Sequence, residues 1–153
     1  MELFEKAGGI ANVYEYYKKR AKLYDFPPEI SVWTQFTLVR SAIRENKIDY
    51  ADKFIKEFGH EFINKLRADR IILIAQFYLD NQHFEQAKKI YSIAANLHPD
   101  LASAFNGLGH VYVGLNDKDK AVQHFKTAVD LATKVADGQL IQYQKDLTEA
   151  SNL

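Results

Sequence analysis

Residues 68–133 read ADRIILIAQFYLDNQHFEQAKKIYSIAANLHPD and then LASAFNGLGHVYVGLNDKDKAVQHFKTAVDLAT. The two halves carry the same classes of residue at seven positions, and the members of each matched pair are 34 residues apart. The pairs are Ile71/Phe105, Ile74/Leu108, Ala75/Gly109, Tyr78/Tyr112, Ala87/Ala121, Tyr91/Phe125 and Ala94/Ala128. The chain therefore contains one motif written twice in succession.

The spacing within each copy predicts a pair of packed helices. Its first four matched positions fall at i, i+3, i+4 and i+7, which places them on one stripe of a helix. The last three fall at i, i+4 and i+7 of a second helix. Small residues such as Ala75 and Ala87 allow two helix backbones to approach closely, and the large aromatic positions fill the space between copies. Such a pair cannot bury its own apolar face alone, so stacking of several pairs is required.

The period, the order of large, small and aromatic positions, and Pro99 at the junction resemble the tetratricopeptide repeat family. This resemblance implies an all-α fold, a right-handed α-α superhelix of about three helix pairs. It therefore predicts a further copy upstream.

A degenerate third copy is predicted within residues 32–65. Its helices are predicted at Val32–Glu45 and Asp49–Phe62, with a turn at Asn46-Lys47 between them. Two positions depart from the pattern, since Val39 and Phe58 stand where small residues are expected. Asparagine tolerates left-handed backbone geometry, so the sequence predicts this role for the turn residues Asn46, Asn81 and Asn116.

The predicted domain organisation places three repeats, 32–65, 68–101 and 102–135, within residues 32–136, between two flanking segments. Residues 1–31 are interpreted as a helical linker that ends at Pro27-Pro28. Its residues Tyr14 and Tyr17 either pack on the neighbouring repeat or form a docking patch. Residues 137–153 are interpreted as a capping helix. At the start of this segment, Gly138 is predicted to be the C-cap glycine of the preceding helix. The predicted polar outer face of the capping helix consists of Gln139, Gln142, Lys145, Asp146 and Glu149.

Composition excludes several classes of function. Twenty basic residues balance twenty acidic residues, and the charges are interspersed, which is unlike a nucleic-acid-binding surface. The chain has no cysteine, which excludes a disulfide framework and a thiolate zinc site. The longest apolar run, Ile71 to Ala75, is too short to span a bilayer, and Met1 is followed by no signal-peptide pattern. We expect neither a nucleic acid nor a membrane as partner.

No catalytic, metal or cofactor site is predicted. His60-Glu61 lacks the second histidine of a helical zinc motif, and His110 and His124 lie on different predicted helices. There is no Gly-rich phosphate loop and no Gly-x-Ser-x-Gly elbow. The acidic residues are spread along solvated faces, so no acid/base pair stands out.

In the tetratricopeptide family, the second, fifth and ninth positions of each first helix line a concave binding face. Carried onto this sequence, the resemblance gives the partner-binding candidates Trp33, Phe36, Arg40, Asp69, Ile72, Gln76, Ser103, Asn106 and His110. The Lys/Asn/Arg cage that grips a peptide carboxylate in some members is not reproduced, because only Arg40 and Asn106 are suitable types. Trp33, Phe36 and Ile72 predict an exposed apolar patch, unless the opening helix of the same chain covers them.

A second resemblance concerns Phe4, Gly8-Gly9, the tyrosine-rich helix and Pro27-Pro28-Glu29, which precede the degenerate repeat. This arrangement is similar to the C-terminal region of bacterial α/β-hydrolase esterases of the enterobactin-esterase-like type. It implies that a nucleophile lies upstream, outside this chain. Two hypotheses lead: a non-catalytic module that docks or dimerises a hydrolase, and a free-standing adaptor that binds a peptide or protein in its groove. For self-association we expect a two-fold homodimer through the Phe36 patch. An enzyme in its own right is the least favoured alternative.

Overall fold

The computed structural model describes Asn12 and residues 32–153, except for the side chains of Trp33, Thr34 and His60. Residues 32–153 form eight α-helices and no strand, which confirms the predicted all-α fold class. The helices are α1 (Val32–Arg44), α2 (Ile48–Phe58), α3 (His60–Asn64), α4 (Ala68–Asp80), α5 (Phe84–Leu97), α6 (Ala102–Gly114), α7 (Lys118–Lys134) and α8 (Leu140–Ser151). The chain divides into two compact units, Met1–Leu66 and Arg67–Leu153.

In the first unit, α1 and α2 pack through buried small and branched residues. Ala42 and Ala51 are fully buried and so allow close approach, and Leu38, Val39 and Phe54 are buried with them. The burial of Val39 shows that this pair accommodates a larger residue at a position where the later repeats have alanine or glycine.

The prediction of one continuous helix from Asp49 to Phe62 is wrong. The helix stops at Phe58 because Gly59 adopts φ 75° and ψ 174°, a conformation that only glycine adopts readily. The Gly59 N–H still donates to the Ile55 carbonyl, so α2 ends without losing this bond. The short helix α3 starts directly after Gly59, and the Phe58 and Phe62 rings meet edge to face across the break, with centroids 5.5 Å apart.

The second unit contains the two regular helix pairs, α4 with α5 and α6 with α7. All seven matched positions of the first pair are buried, each exposing at most 1% of its surface. In the second pair five of the seven are buried, and Phe105 and Tyr112 are half-buried. The predicted helical stripes therefore face the core as expected.

Three glycines of α6 make room for aromatic rings. A Cβ at Gly109 would lie 2.5 Å from the Phe125 ring, and a Cβ at Gly107 would overlap the Tyr91 ring of the preceding pair. A Cβ at Gly114 would likewise overlap the Phe84 ring. Helix α6 thus packs against both neighbouring helices through backbone-to-ring contacts.

The same C-terminal turn ends four helices. In each, the residue after the left-handed position donates its N–H to the carbonyl five residues back, as in the Schellman motif. These bonds are Lys47 to Ala42, His83 to Tyr78, Asp117 to Tyr112 and Asp137 to Ala132, at 2.8–2.9 Å. The left-handed residues are Asn46, Gln82, Asn116 and Ala136, with φ of 51–60°.

Two predictions about these turns are therefore wrong. Gln82 rather than Asn81 is left-handed, because Asn81 caps α4 with φ −93° and donates its side-chain amide to the Phe77 carbonyl. The left-handed residue after α7 is Ala136 rather than Gly138. Position in the turn, counted from the helix end, decides the conformation, and residue type does not.

Helix α8 packs onto α6 and α7. Its Tyr143 belongs to one core cluster with Ala102, Ala128 and Ala132, and its Ala150 to another with Ala121 and Phe125. Four of the five residues predicted for its polar outer face are exposed. Asp146 is the exception, since it exposes only 6% of its surface.

Candidate protein-interaction surface

Phe36 does not contribute to an exposed apolar patch on α1. Phe36 exposes 6% of its surface, so it is a core residue, and the prediction that it is presented to a partner is wrong. Arg40 on the same helix is exposed. The Trp33 side chain, Tyr14 and Tyr17 lie outside the described residues.

Three of the six candidates of the second unit lie at the start of α4 and α6. A cavity of about 640 Å³ lies there, lined by Arg67, Ala68, Asp69, Ile72, His98, Leu101 and Ser103. Three predicted residues, Asp69, Ile72 and Ser103, therefore meet at one site. We call this cavity the α4–α6 groove.

Sequence reasoning missed Arg67, His98 and Leu101. Arg67 and Leu101 are the residues immediately before α4 and α6, and they are 34 residues apart. The repeat period therefore carried a signal for both, since equivalent residues just before successive first helices fall at the same edge of the stack. His98 precedes Pro99 in the connection that brings the chain back to that edge.

The groove carries mixed charge. The Arg67 Nε lies 3.2 Å from the Asp69 Oδ1, and both side chains are largely exposed, so solvent screens the pair. Ile72 and Leu101 are half-buried and supply apolar surface. The groove thus offers the apolar side chains of Ile72 and Leu101 beside one positive side chain, Arg67, and one negative side chain, Asp69.

Gln76 is exposed and held in a fixed orientation. Its Oε1 accepts a hydrogen bond from the Tyr91 hydroxyl at 2.8 Å, and its Nε2 donates to the Asp80 Oδ1 at 2.7 Å. Burial raises the pKa of Tyr91 well above its usual value, and the Asp80 carboxylate adds to the shift. The phenol therefore remains a donor, and it keeps the Gln76 amide oriented at the surface.

Asn106 and His110 are engaged by their own chain. The Asn106 Nδ2 donates to the Asp146 Oδ2 at 2.8 Å, and the His110 Nε2 lies 3.1 Å from the same oxygen. The other oxygen, Oδ1, accepts from the Gln142 Nε2 at 2.7 Å. The buried carboxylate of α8 thus forms hydrogen bonds with the two candidates of α6 that lie outside the groove, although His110 remains exposed.

The His110–Asp146 pair does not extend to a catalytic set. Within residues 32–153, Asp146 is the hydrogen-bond partner of His110, and the His110 ring packs edge to face on Phe125 at 5.0 Å. No hydroxyl nucleophile joins the pair in that range. The described residues also contain no group of three or more histidine, cysteine, aspartate and glutamate side chains arranged to hold a metal ion.

His124 lies in an aromatic stack on the other side of α6. Its ring is nearly parallel to the Tyr112 ring, with centroids 5.2 Å apart and planes 4° apart. The Lys120 Nζ lies 5.3 Å from the centre of the Tyr112 ring. Burial lowers the pKa of His124 from its usual value, and the Lys120 charge lowers it further. The ring therefore stays neutral to lower pH than an exposed histidine.

Among the described residues, no helix combines the length and the apolar character needed to cross a membrane.

Comparison with known proteins bears on α6 and α7. The model of the tetratricopeptide repeat family matches residues 102–134, which span this helix pair from its first residue to its last. No curated protein matches the chain. The match supports the resemblance inferred from the 34-residue period, and a repeat of this family indicates a protein-interaction module.

Proposed function

We propose that this chain is a non-catalytic interaction module that binds a segment of a partner protein in the α4–α6 groove. The observation that carries the proposal is the cavity of about 640 Å³ at the start of the two first helices. Three residues that the family pattern assigns to binding line it.

The chemistry of the groove defines its ligand. Ile72 and Leu101 suit an apolar side chain, while Arg67 and Asp69 offer one charge of each sign at the rim. A segment with high net charge of either sign would find no matching field. The ligand is therefore a peptide segment with an apolar anchor and little net charge.

Selection from a random peptide library displayed on phage tests this proposal. Peptides enriched on the purified chain are synthesised with a dye, and their affinities are measured by fluorescence polarisation. Ile72→Arg places a charge on the groove floor and should weaken binding at least about tenfold, since a buried apolar anchor carries much of such an affinity. Ile141→Arg is the matched control, because Ile141 is 81% exposed on α8 and lies outside the groove.

Equal affinity of the enriched peptides for wild type and Ile72→Arg would refute the groove as the binding site. Failure to enrich any peptide would count against peptide binding altogether. Circular dichroism of each variant shows whether a loss of binding comes from unfolding.

A hydrolase domain on the same polypeptide is the second candidate partner. The similarity of Phe4, Gly8-Gly9 and Pro27-Pro28-Glu29 to the region after the catalytic domain of bacterial esterases supports it. An open reading frame for an α/β-hydrolase directly upstream of this segment is expected in the gene. An in-frame stop codon between such a hydrolase reading frame and this segment would contradict this proposal. The free-standing adaptor would then be the remaining hypothesis.

The chain alone is expected to have no esterase activity. Purified protein should hydrolyse short-chain nitrophenyl esters at the buffer rate, with or without added zinc. Turnover that survives repeated purification and is lost on substitution of one residue of this chain would overturn the non-catalytic assignment.

Self-association through the Phe36 surface is no longer supported, because Phe36 is buried. Phe36→Glu should therefore reduce helicity and stability in the first unit, whatever the oligomeric state of the wild type. Sedimentation of wild type at about 100 µM remains the measurement for a dimer formed through another surface.

A further inference from the structure

Helix α8 repeats the spacing of the two first helices, with one change in chemistry. Tyr143, Asp146, Leu147 and Ala150 fall at i, i+3, i+4 and i+7, as Phe105, Leu108, Gly109 and Tyr112 do in α6. At the second of these positions α4 has Ile74 and α6 has Leu108, both buried. In α8 the same position is Asp146, which is also buried.

This change makes the attachment of α8 polar where the attachment of α4 and α6 is apolar. An apolar side chain that leaves the core loses its full transfer free energy. A hydrogen-bonded carboxylate that leaves the core loses less, because water replaces its hydrogen-bond partners. The bond from Gln142 lies within α8 itself. The bonds to Asn106 and His110 fix the register of α8 on α6, because they form only when both residues are in place. They hold the helix more weakly than a leucine would.

Helix α8 buries fewer residues than α4 does, and its half-buried Leu140 and Leu147 pack against the two core clusters as well. Its buried residues are Tyr143, Asp146 and Ala150, while α4 buries five residues, all of them apolar or aromatic. Elements with little buried apolar surface open locally at lower free energy than the whole domain.

We propose that α8 is a detachable latch, attached through Asp146, that controls whether the Asn106 Nδ2 and the His110 Nε2 on α6 are free to bind a partner. Closed, it engages the Asn106 Nδ2 and the His110 Nε2 through the Asp146 carboxylate. Open, it frees both groups on α6, the helix whose start lines the α4–α6 groove. This regulatory role rests on the proposed binding function, but the opening of α8 itself does not.

Thiol labelling tests the latch directly, because the chain contains no cysteine and an introduced one is unique. Ala128→Cys places a thiol in the core cluster that α8 covers with Tyr143. Ala94→Cys is the matched control, since Ala94 is the equivalent residue of the preceding helix pair and is equally buried. Both variants are reacted with a maleimide dye, and the labelling rates are compared with those of the chain unfolded in urea.

The latch predicts that the thiol of Ala128→Cys reacts at least about tenfold faster than that of Ala94→Cys. Adding Asp146→Leu, which restores the residue type of α4 and α6, should slow labelling at position 128 at least about tenfold and leave position 94 unchanged. Asp146→Asn keeps the shape but weakens charge-assisted bonds, so it should accelerate labelling at position 128.

Equal rates for the two thiols would overturn the proposal, because α8 would then open only when the unit unfolds. Faster labelling at position 128 in Asp146→Leu would also overturn it, because Asp146 would then hold α8 more tightly than a leucine does. If Asp146→Leu loses its helicity, Asp146→Asn decides alone, and an unchanged rate at position 128 rejects the latch. These outcomes do not depend on peptide binding, so the groove can fail while the latch stands.

Discussion

Replacing Gly109 by leucine tests the helix register of the whole second unit. A Cβ at this position would lie 2.5–2.8 Å from three carbons of the Phe125 ring. Carbon atoms that are not bonded to each other do not approach this closely in proteins. The ring cannot swing away easily, because Phe125 exposes 1% of its surface and is packed edge to face against His110.

Two opposing terms set the expected magnitude. Leucine is a better helix former than glycine by about 0.8 kcal/mol. Overfilling a packed core costs about 1–3 kcal/mol and occasionally more. We expect a cost near the upper end of this range for leucine, because even a methyl group at Gly109 would overlap the Phe125 ring. We expect a net loss of about 2 kcal/mol, which lowers the Tm of a chain of this length by about 4–8 °C.

Urea and thermal unfolding followed by circular dichroism measure this loss. Gly138→Ala is the matched control, since a Cβ there meets no atom within 4 Å, and its effect should stay within about 0.5 kcal/mol. A double mutant gives the sharper test: Gly109→Ala should destabilise the wild type and cost less when Phe125 is leucine. A loss below about 0.5 kcal/mol for Gly109→Leu would show that Gly109 does not face Phe125, and the register would be wrong.

Two further predictions concern the turn after α7 and the stack on α6. Ala136→Gly should raise the free energy of unfolding by about 1 kcal/mol in urea titrations, because alanine at φ 51° is strained and glycine is not; a loss would contradict the left-handed assignment. His124 has a lowered pKa in the fold, so the unfolded chain takes up its proton first as pH falls below about 6.5. Its contribution to stability is therefore present above that pH and is lost as pH falls through the folded pKa. Wild type should lose more stability than His124→Gln between about pH 7 and 5, and parallel curves would refute the role of His124.

The sequence alone determined the repeat and the faces of its helices. The residues matched at a separation of 34 in α4 and α5 are all buried, because a helical stripe of large and small residues has one favourable way to pack. The ends of these helices were also predictable, since Pro99 cannot continue a helix. The repeat period also assigned Asp69, Ile72 and Ser103 to equivalent positions of successive first helices, and these three residues line one groove.

Only the tertiary structure decided which of the predicted surface positions are buried by another part of the chain. Phe36 and Asp146 were both assigned to solvent-facing positions, and both are buried. The helical period gives the direction of a side chain from its own axis, but it does not say which other element arrives there. For Asp146 the answer depends on Asn106 and His110, which lie 40 and 36 residues earlier in the chain. A carboxylate can be buried only where such partners replace its water, and their positions are set by the packing of α8 on α6 and α7.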